Sequence, residues 1–292
     1  MATLRDIKRK IDAVKKTSQI TKAMNMVAAA KLRVAQQNME KFHPYATKFN
    51  EVISRLAVGV EDDGSFELLK QREEVKNIEL VLLTPDRGLC GSFNNNLIVT
   101  AEKFIAAKKA EGITVTLTAV GKKGYDYFRR RNIEISKRMT GILNKPSYDD
   151  AVDLGRELIA KFESGVCDEV YVIYSNFISI VRQAPAVFRM LPIAPEKTEG
   201  GEGGSNVEYI FEPSHDALLN DLLPNYVFIE LLEYFYQTAV GEHAARMAAM
   251  ENATSNCKEL VRTLTLTYNK ARQAGITKEL MDIVGGAEAL KK

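Results

Sequence analysis

The chain has 292 residues, 46% of them hydrophobic and 27% charged, which excludes a disulfide-stapled mini-scaffold, wholesale disorder and a collagen-like or mucin-like chain. No run reaches the roughly 18 apolar residues of a membrane span, so a soluble chain is expected, and the basic start MATLRDIKRK lacks the apolar region of a secretory signal. The formal net charge of +2 hides an asymmetry: residues 1–33 hold nine basic side chains (Arg5, Lys8, Arg9, Lys10, Lys15, Lys16, Lys22, Lys31, Arg33) against Asp6 and Asp12, a local +7. A basic arm of that kind fits nucleic acid, an anionic surface or an acidic protein, and composition does not choose among them.

Residues 1–43 contain neither Gly nor Pro, and Thr3 followed by Asp6 reads as a capping box, so a long helix is expected from the start of the chain, interrupted or kinked at Pro44. Leu4, Ile7, Ile11, Val14, Ser18, Thr21, Asn25, Ala28, Leu32, Ala35, Met39 and Phe42 recur at alternating four- and three-residue steps. That is a heptad seam with a polar middle, the pattern of a coiled coil. Ile20, Met24 and Val27 form a second apolar line beside it, more than one partner helix needs.

Residues 58–77 read as a charged linker. Short apolar runs follow at Ile78–Thr84, Thr114–Val120, Ile133–Ser136, Glu169–Ser175, Ala186–Ile193 and Val207–Phe211. Helical stretches separate them at about Asn95–Ala110, Lys122–Arg131 and Tyr148–Glu163. This alternation predicts a central, Rossmann-like α/β domain over 78–211 with a mostly parallel sheet. The stretch EGGEGGSN, Glu199–Asn206, is a flexible loop by composition.

From Asn225 to Val284 there is no proline, and only Gly241 and Gly275 weaken a second very long helix. Its expected seam begins bulky (Phe228, Leu232, Phe235) and turns small and polar through Glu242, Arg246, Ala249, Ala253 and Asn256. The domains expected are therefore 1–57 and 212–292 as the two arms of an antiparallel coiled coil, 58–77 as linker and 78–211 as the α/β domain. If both helices leave the α/β domain at one level, the first offers about 57 residues and the second about 73 (212–284), an overhang of roughly 25 Å. Ile276, Leu280, Met281, Ile283 and Val284 make that overhang apolar, so another protein should house it.

Catalytic signals are weak. In LLTPDRGLCGSFNNN, Leu82–Asn96, a strand runs through a glycine-bearing turn into a helix, where α/β proteins hold phosphates. Gly88 and Gly91 fit neither phosphate-loop spacing and the turn has no Lys, so a structural turn is favoured over a nucleotide-dependent enzyme using Asp86 to Gly91. Cys90, Cys167 and Cys257 lie far apart, as do His43, His215 and His243; no disulfide framework, zinc site or thiol nucleophile is expected, and a reducing compartment fits. The lack of aromatics among residues 1–41 weakens a nucleic-acid role for the arm.

Three blocks carry a resemblance over essentially the whole length: LRDIKRKIDAVKKTSQITKAMNMVAAAKL (Leu4–Leu32), TPDRGLCGSFNNN (Thr84–Asn96) and EHAARMAAMENATSNCKELVRTLTLTYNKARQAGITKELMDIVGGAEAL (Glu242–Leu290). The chain resembles the gamma subunits of bacterial F-type ATP synthases. That resemblance implies a non-catalytic central-stalk subunit whose coiled coil turns inside a ring of three alpha and three beta subunits. Its α/β domain would meet the epsilon subunit and the c-ring, which protons drive, at the cytoplasmic face of the inner membrane. It also implies no cofactor, no metal and no nucleic-acid partner. By motif, Met24 in TKAMNM, Arg246 in HAARM, Arg272 and Gln273 in NKARQ, and Thr277 and Glu279 in ITKEL correspond to contacts with beta. Tyr209 in VEYIFEP corresponds to the foot near the c-ring and epsilon. Pro85 and Gly275 depart from the family's usual Ser and its usual Ala or Ser; Gly275 would soften the helix by up to about 1 kcal/mol relative to Ala.

Overall fold

The computed structural model describes residues 3–57, 66–131, 133–194 and 215–289. The expected strand Val207–Phe211, the loop Glu199–Asn206, Tyr209 and the linker's first part, 58–65, lie outside the described residues. The chain forms two compact units, one of Met1–Ala29 with Arg246–Lys292 and one of Ala30–Ala245.

Two helices contribute to both units: α1, Leu4–Ala57, and α5, His215–Ala289. The start of α1 is capped as its sequence dictates. Asp6 N–H donates to Thr3 Oγ1 at 3.3 Å, while the Thr3 N–H and hydroxyl donate to Asp6 Oδ2 at 3.2 and 2.7 Å. These bonds hold the Asp6 carboxyl below its ordinary pKa. Pro44 does not interrupt α1, and Pro224 lies inside α5. A proline forfeits one backbone bond, and tertiary packing overrides that loss: Ala46, Ile53 and Leu56, just beyond Pro44, are buried.

Among the described residues the second unit holds a five-stranded sheet in the order β3-β2-β1-β4-β5. The strands are β1 Asn77–Leu83, β2 Thr114–Val120, β3 Ile135–Met139, β4 Glu169–Phe177 and β5 Gln183–Leu191. The first four are parallel, and β5 runs antiparallel to β4 at the edge. The third apolar run thus forms a strand two residues later than Ile133–Ser136 predicts. Alternate edge residues Ile135, Lys137 and Met139 are half-buried there, so the polar Lys137 and Arg138 join the pairing.

On β1 the period-two alternation sorts the core. Ile78, Leu80 and Leu82 pack toward α2 (Phe93–Ala110) and α3 (Lys122–Phe128), whereas Val81 and Leu83 pack toward α4 (Tyr148–Glu163) and α5. Glu79 falls on the second face and is 2% exposed. Its carboxylate accepts from the Thr118 and Ser136 hydroxyls and lies 3.4 Å from Lys161 Nζ, so the buried charge is paired and hydrogen-bonded. Gly155 of α4 permits the approach of α5, since a Cβ there would lie 2.4 Å from Phe228 Cδ1.

Two glycines behave oppositely. At Gly121 φ is +95° and a Cβ would sit 1.6 Å from the Thr84 carbonyl oxygen, whereas Gly112, at φ +82°, has nothing within 4 Å. Gly121→Ala should therefore cost about 3 kcal/mol or more, or prevent folding, while Gly112→Ala costs only about 1 kcal/mol. Urea unfolding of both variants checks this, and equal losses would contradict it.

Burial also predicts sensitivity to alkali. Burial, then the Glu79 charge, pushes the Cys167 thiol from an ordinary 9.0 up to about 12, and burial pushes the Tyr174 hydroxyl from 10.0 up to about 12. The folded chain keeps these protons after the unfolded chain has released them. Stability is therefore complete below about pH 9 and declines toward pH 12. Urea midpoints between pH 8 and pH 11 should fall, and fall less in Cys167→Ala; a flat profile would refute the account.

Candidate functional site

In the first unit the two helices pair antiparallel along a heptad seam. On α1, Ile7, Ile11, Thr21 and Ala28 are buried, with Val14, Ser18 and Asn25 half-buried between them. On α5 the inward line runs through Met250, Thr254, Cys257, Val261, Leu264, Tyr268, Ala271 and Gly275, at steps of four and three. Of the expected small and polar line, Glu242 is buried and Arg246, Ala249 and Ala253 are half-buried, but Asn256 is exposed, and Cys257 takes the inward place there.

Two polar bonds set the register. The Thr21 and Thr254 hydroxyls meet at 2.7 Å, and Asn25 Nδ2 donates to the Met247 carbonyl oxygen at 2.8 Å. Residues this small bring the helix backbones close enough for a side-chain amide to reach a main-chain carbonyl. Counting from Thr21–Thr254 sets Leu4 opposite Ala271, so residues 272–289 of α5, about 27 Å of helix, extend past the start of α1. The expected apolar overhang is present: Ile276, Leu280, Met281, Ile283 and Val284 are 51–68% exposed.

Six of the seven expected contact residues fall in this unit. Met24 and Arg246 are half-buried beside the seam, and Arg246 is engaged within the chain. Arg272, Gln273, Thr277 and Glu279 are exposed where the overhang begins. Tyr209 lies outside the described residues. At the two ends of the second apolar line Ile20 is 61% and Val27 58% exposed, and the basic residues Arg5, Lys8, Arg9, Lys10, Lys15, Lys16 and Lys22 of the same helix are exposed. Thr254 escaped the sequence reading; its signal was the heptad counted from Met250 rather than from Glu242.

The turn after β1 is satisfied from within. The Asp86 carboxylate accepts from the Lys122 and Gly141 backbone N–H groups at 2.9 and 2.8 Å and from Asn144 Nδ2 at 3.3 Å. These donors follow β2 and β3, at the strand ends where an open α/β sheet receives a ligand. An internal carboxylate thus takes the N–H groups that a phosphate would need, and the nucleotide-enzyme reading is not favoured. The thiols are equally quiet: Cys90 and Cys167 are buried, and Cys257 sits half-buried in the seam.

These features define a class: an α/β protein whose own terminal helices form an antiparallel coiled coil with an uncovered apolar end. The sequence model of the ATP synthase family matches residues 3–290. The chain is 78% identical over 292 residues to the ATP synthase gamma chain of Syntrophobacter fumaroxidans, covering 100% of both chains. It is 48% identical over 293 residues to that of Syntrophus aciditrophicus, again covering 100% of each. A chain of the Euglena gracilis mitochondrial ATP synthase (OSCP/F1/c-ring) shares the fold with a TM-score of 0.64 at 21% identity, over 98% of this chain and 94% of that one. A chain of the Tetrahymena thermophila central stalk and c-ring gives 0.60 at 21%, over 80% and 99%. The chain belongs to the ATP synthase gamma-chain family.

A single helix without packing is marginal in water. In the isolated chain, amides from Ile276 onward should exchange within seconds and protease should clip there, while those from Met250 to Val261 exchange far more slowly. Hydrogen exchange resolved along α5 checks the contrast. Uniform protection to Ala289 would show that the overhang packs on its own chain.

Proposed function

We infer that this chain is the central stalk of a rotary, proton-driven ATP synthase, turning within the alpha and beta subunits and meeting epsilon and the c-ring. The observation that carries the reading is the overhang. Its five large apolar residues lie past the end of the partner helix and are more than half exposed, a surface that water disfavours and that a protein sleeve would cover. The relatives' name, ATP synthase gamma chain, and the central stalk and c-ring of the Tetrahymena assembly support it. No helix among the described residues is long and apolar enough to cross a membrane, which agrees with a peripheral position, here taken as the cytoplasmic face of a bacterial inner membrane.

In this reading the chain performs no chemistry. Residues 1–57 and 212–292 are the shaft arms, 58–77 the linker and 78–211 the α/β domain. Its asymmetric surface presents each beta subunit with a different face, and rotation converts that difference into a sequence of states. Met24, Arg246, Arg272, Gln273, Thr277 and Glu279 are the proposed beta contacts, and Tyr209 is proposed for the c-ring and epsilon foot. The exposed polar groups among them suit bonds made and broken as the shaft turns, since surface bonds carry little net energy.

Loss of a hydrogen bond to a charged group costs roughly 1.5–3 kcal/mol. Arg246→Ala and Gln273→Ala should each reduce ATP synthesis driven by a proton gradient, or the yield of assembled complex, by about tenfold. Membrane vesicles assayed for both quantities test this. Unchanged synthesis and unchanged assembly in both variants would remove these residues from the contact set.

A further inference from the structure

At the β3 edge of the sheet, a hollow of about 410 Å³ opens to solvent between α3 and β3. Tyr125, Ile133 and Ile135 line it, and so do Arg129 and Arg138, whose side chains are exposed. Tyr125 and Arg129 stand one helical turn apart, with the Arg129 backbone N–H donating to the Tyr125 carbonyl oxygen, so both side chains share a face. The Arg138 guanidinium lies over the Tyr125 ring, 4.5 Å from its centroid.

A bulge aims Arg138 at this hollow. In a regular strand, residues three apart face opposite sides of the sheet. Between β2 and β3 the register slips by one residue: Leu117 pairs with Ile135, but Thr118 pairs with Lys137. Ile135 and Arg138 therefore both face α3, opposite Leu117 and Ala119, which pack on that side. Ser136 and Lys137 turn to the other face, where they meet Glu79 and Glu157.

Lys137 is thus neutralised, and the two arginines are not. Among the described residues neither guanidinium has a hydrogen-bond or ion-pair partner, the Tyr125 ring being the one neighbour that holds Arg138. No Asp or Glu is among the described residues that line the hollow, and residues 122–139 carry seven basic against two acidic side chains. Two guanidinium groups beside one ring repel each other, and an anion between them removes that cost. A carboxylate has two oxygens, which a single guanidinium fork occupies, whereas a phosphoryl group offers three oxygens and about two negative charges. The isoleucines and the ring add an apolar surface that inorganic phosphate leaves unused. We propose that this hollow binds a phosphate monoester, with Arg129 and Arg138 on the phosphoryl oxygens and the organic part against Ile133 and Ile135. The ester is either a small soluble molecule or the headgroup of an anionic lipid; both present the same group.

Phenyl phosphate serves as the soluble probe. Calorimetric titration into the isolated full-length chain should show saturable one-to-one binding, clearly tighter than that of benzoate, which offers the same ring with a carboxylate. Arg129→Gln and Arg138→Gln should each weaken binding about tenfold or more, since a hydrogen bond between charged groups is lost. Arg130→Gln removes the same charge outside the hollow; at physiological ionic strength, where exposed charges are screened, it should weaken binding no more than about twofold. Vesicles containing phosphatidic acid separate the sources. Phenyl phosphate binding without vesicle binding marks a soluble ester, and vesicle binding that is lost in the Arg129 and Arg138 variants marks a lipid headgroup. No saturable binding of either probe, benzoate bound as tightly as phenyl phosphate, or equal weakening in all three variants would overturn the proposal.

Discussion

The meeting of the Thr21 and Thr254 hydroxyls fixes more about this molecule than any other single contact. A hydroxyl pair contributes little energy by itself, but it sets the register of two helices whose partnered residues lie more than two hundred positions apart in sequence. The register decides that Ile7 and Ile11 are covered and that α5 runs out of partner beyond Ala271. A seam of Leu or Ile throughout would pair more tightly and slide more freely. Small polar residues allow a close approach and penalise every other alignment, since a slipped helix would bury hydroxyl and amide groups without partners.

The same economy governs the α/β unit. Asp86 occupies backbone N–H groups at the ends of the strands, and Thr84 receives the Gly124 N–H while donating to the Val120 carbonyl oxygen. Gly121 passes so close to Thr84 that no side chain fits. The region where this fold commonly holds a ligand is thus a knot that ties three strand-to-helix connections together. Buried charge is used likewise, as Glu79 links β1, β2 and β3 to Lys161 of α4 through hydroxyls and an ion pair.

Exposure divides the molecule's polar and apolar groups in a way that suits a part of an assembly. Ile20, Val27 and the overhang remain uncovered on the two long helices, and the basic side chains of α1 from Arg5 to Lys22 are exposed as well. Membership of the ATP synthase gamma-chain family accounts for this exposure through the proposed ring of partners.

Much of this was legible in sequence because it depends on local periodicity. The seam from Ile7 to Ala28, the Thr3–Asp6 cap, the parallel strands and the apolar stretch from Ile276 to Val284 all follow from spacings that one helix or strand must obey. Where several elements meet, the sequence was insufficient. Neither the continuation of α1 through Pro44 nor the seam's passage through Cys257 rather than Asn256 could be read locally. The first depends on packing beyond the proline, the second on which face of α5 meets α1. The antiparallel β5, the Asp86 knot and the joining of Asn50 with Glu230 depended wholly on tertiary structure. A polar residue's partner is selected by geometry across distant segments, and no spacing along the chain encodes that distance.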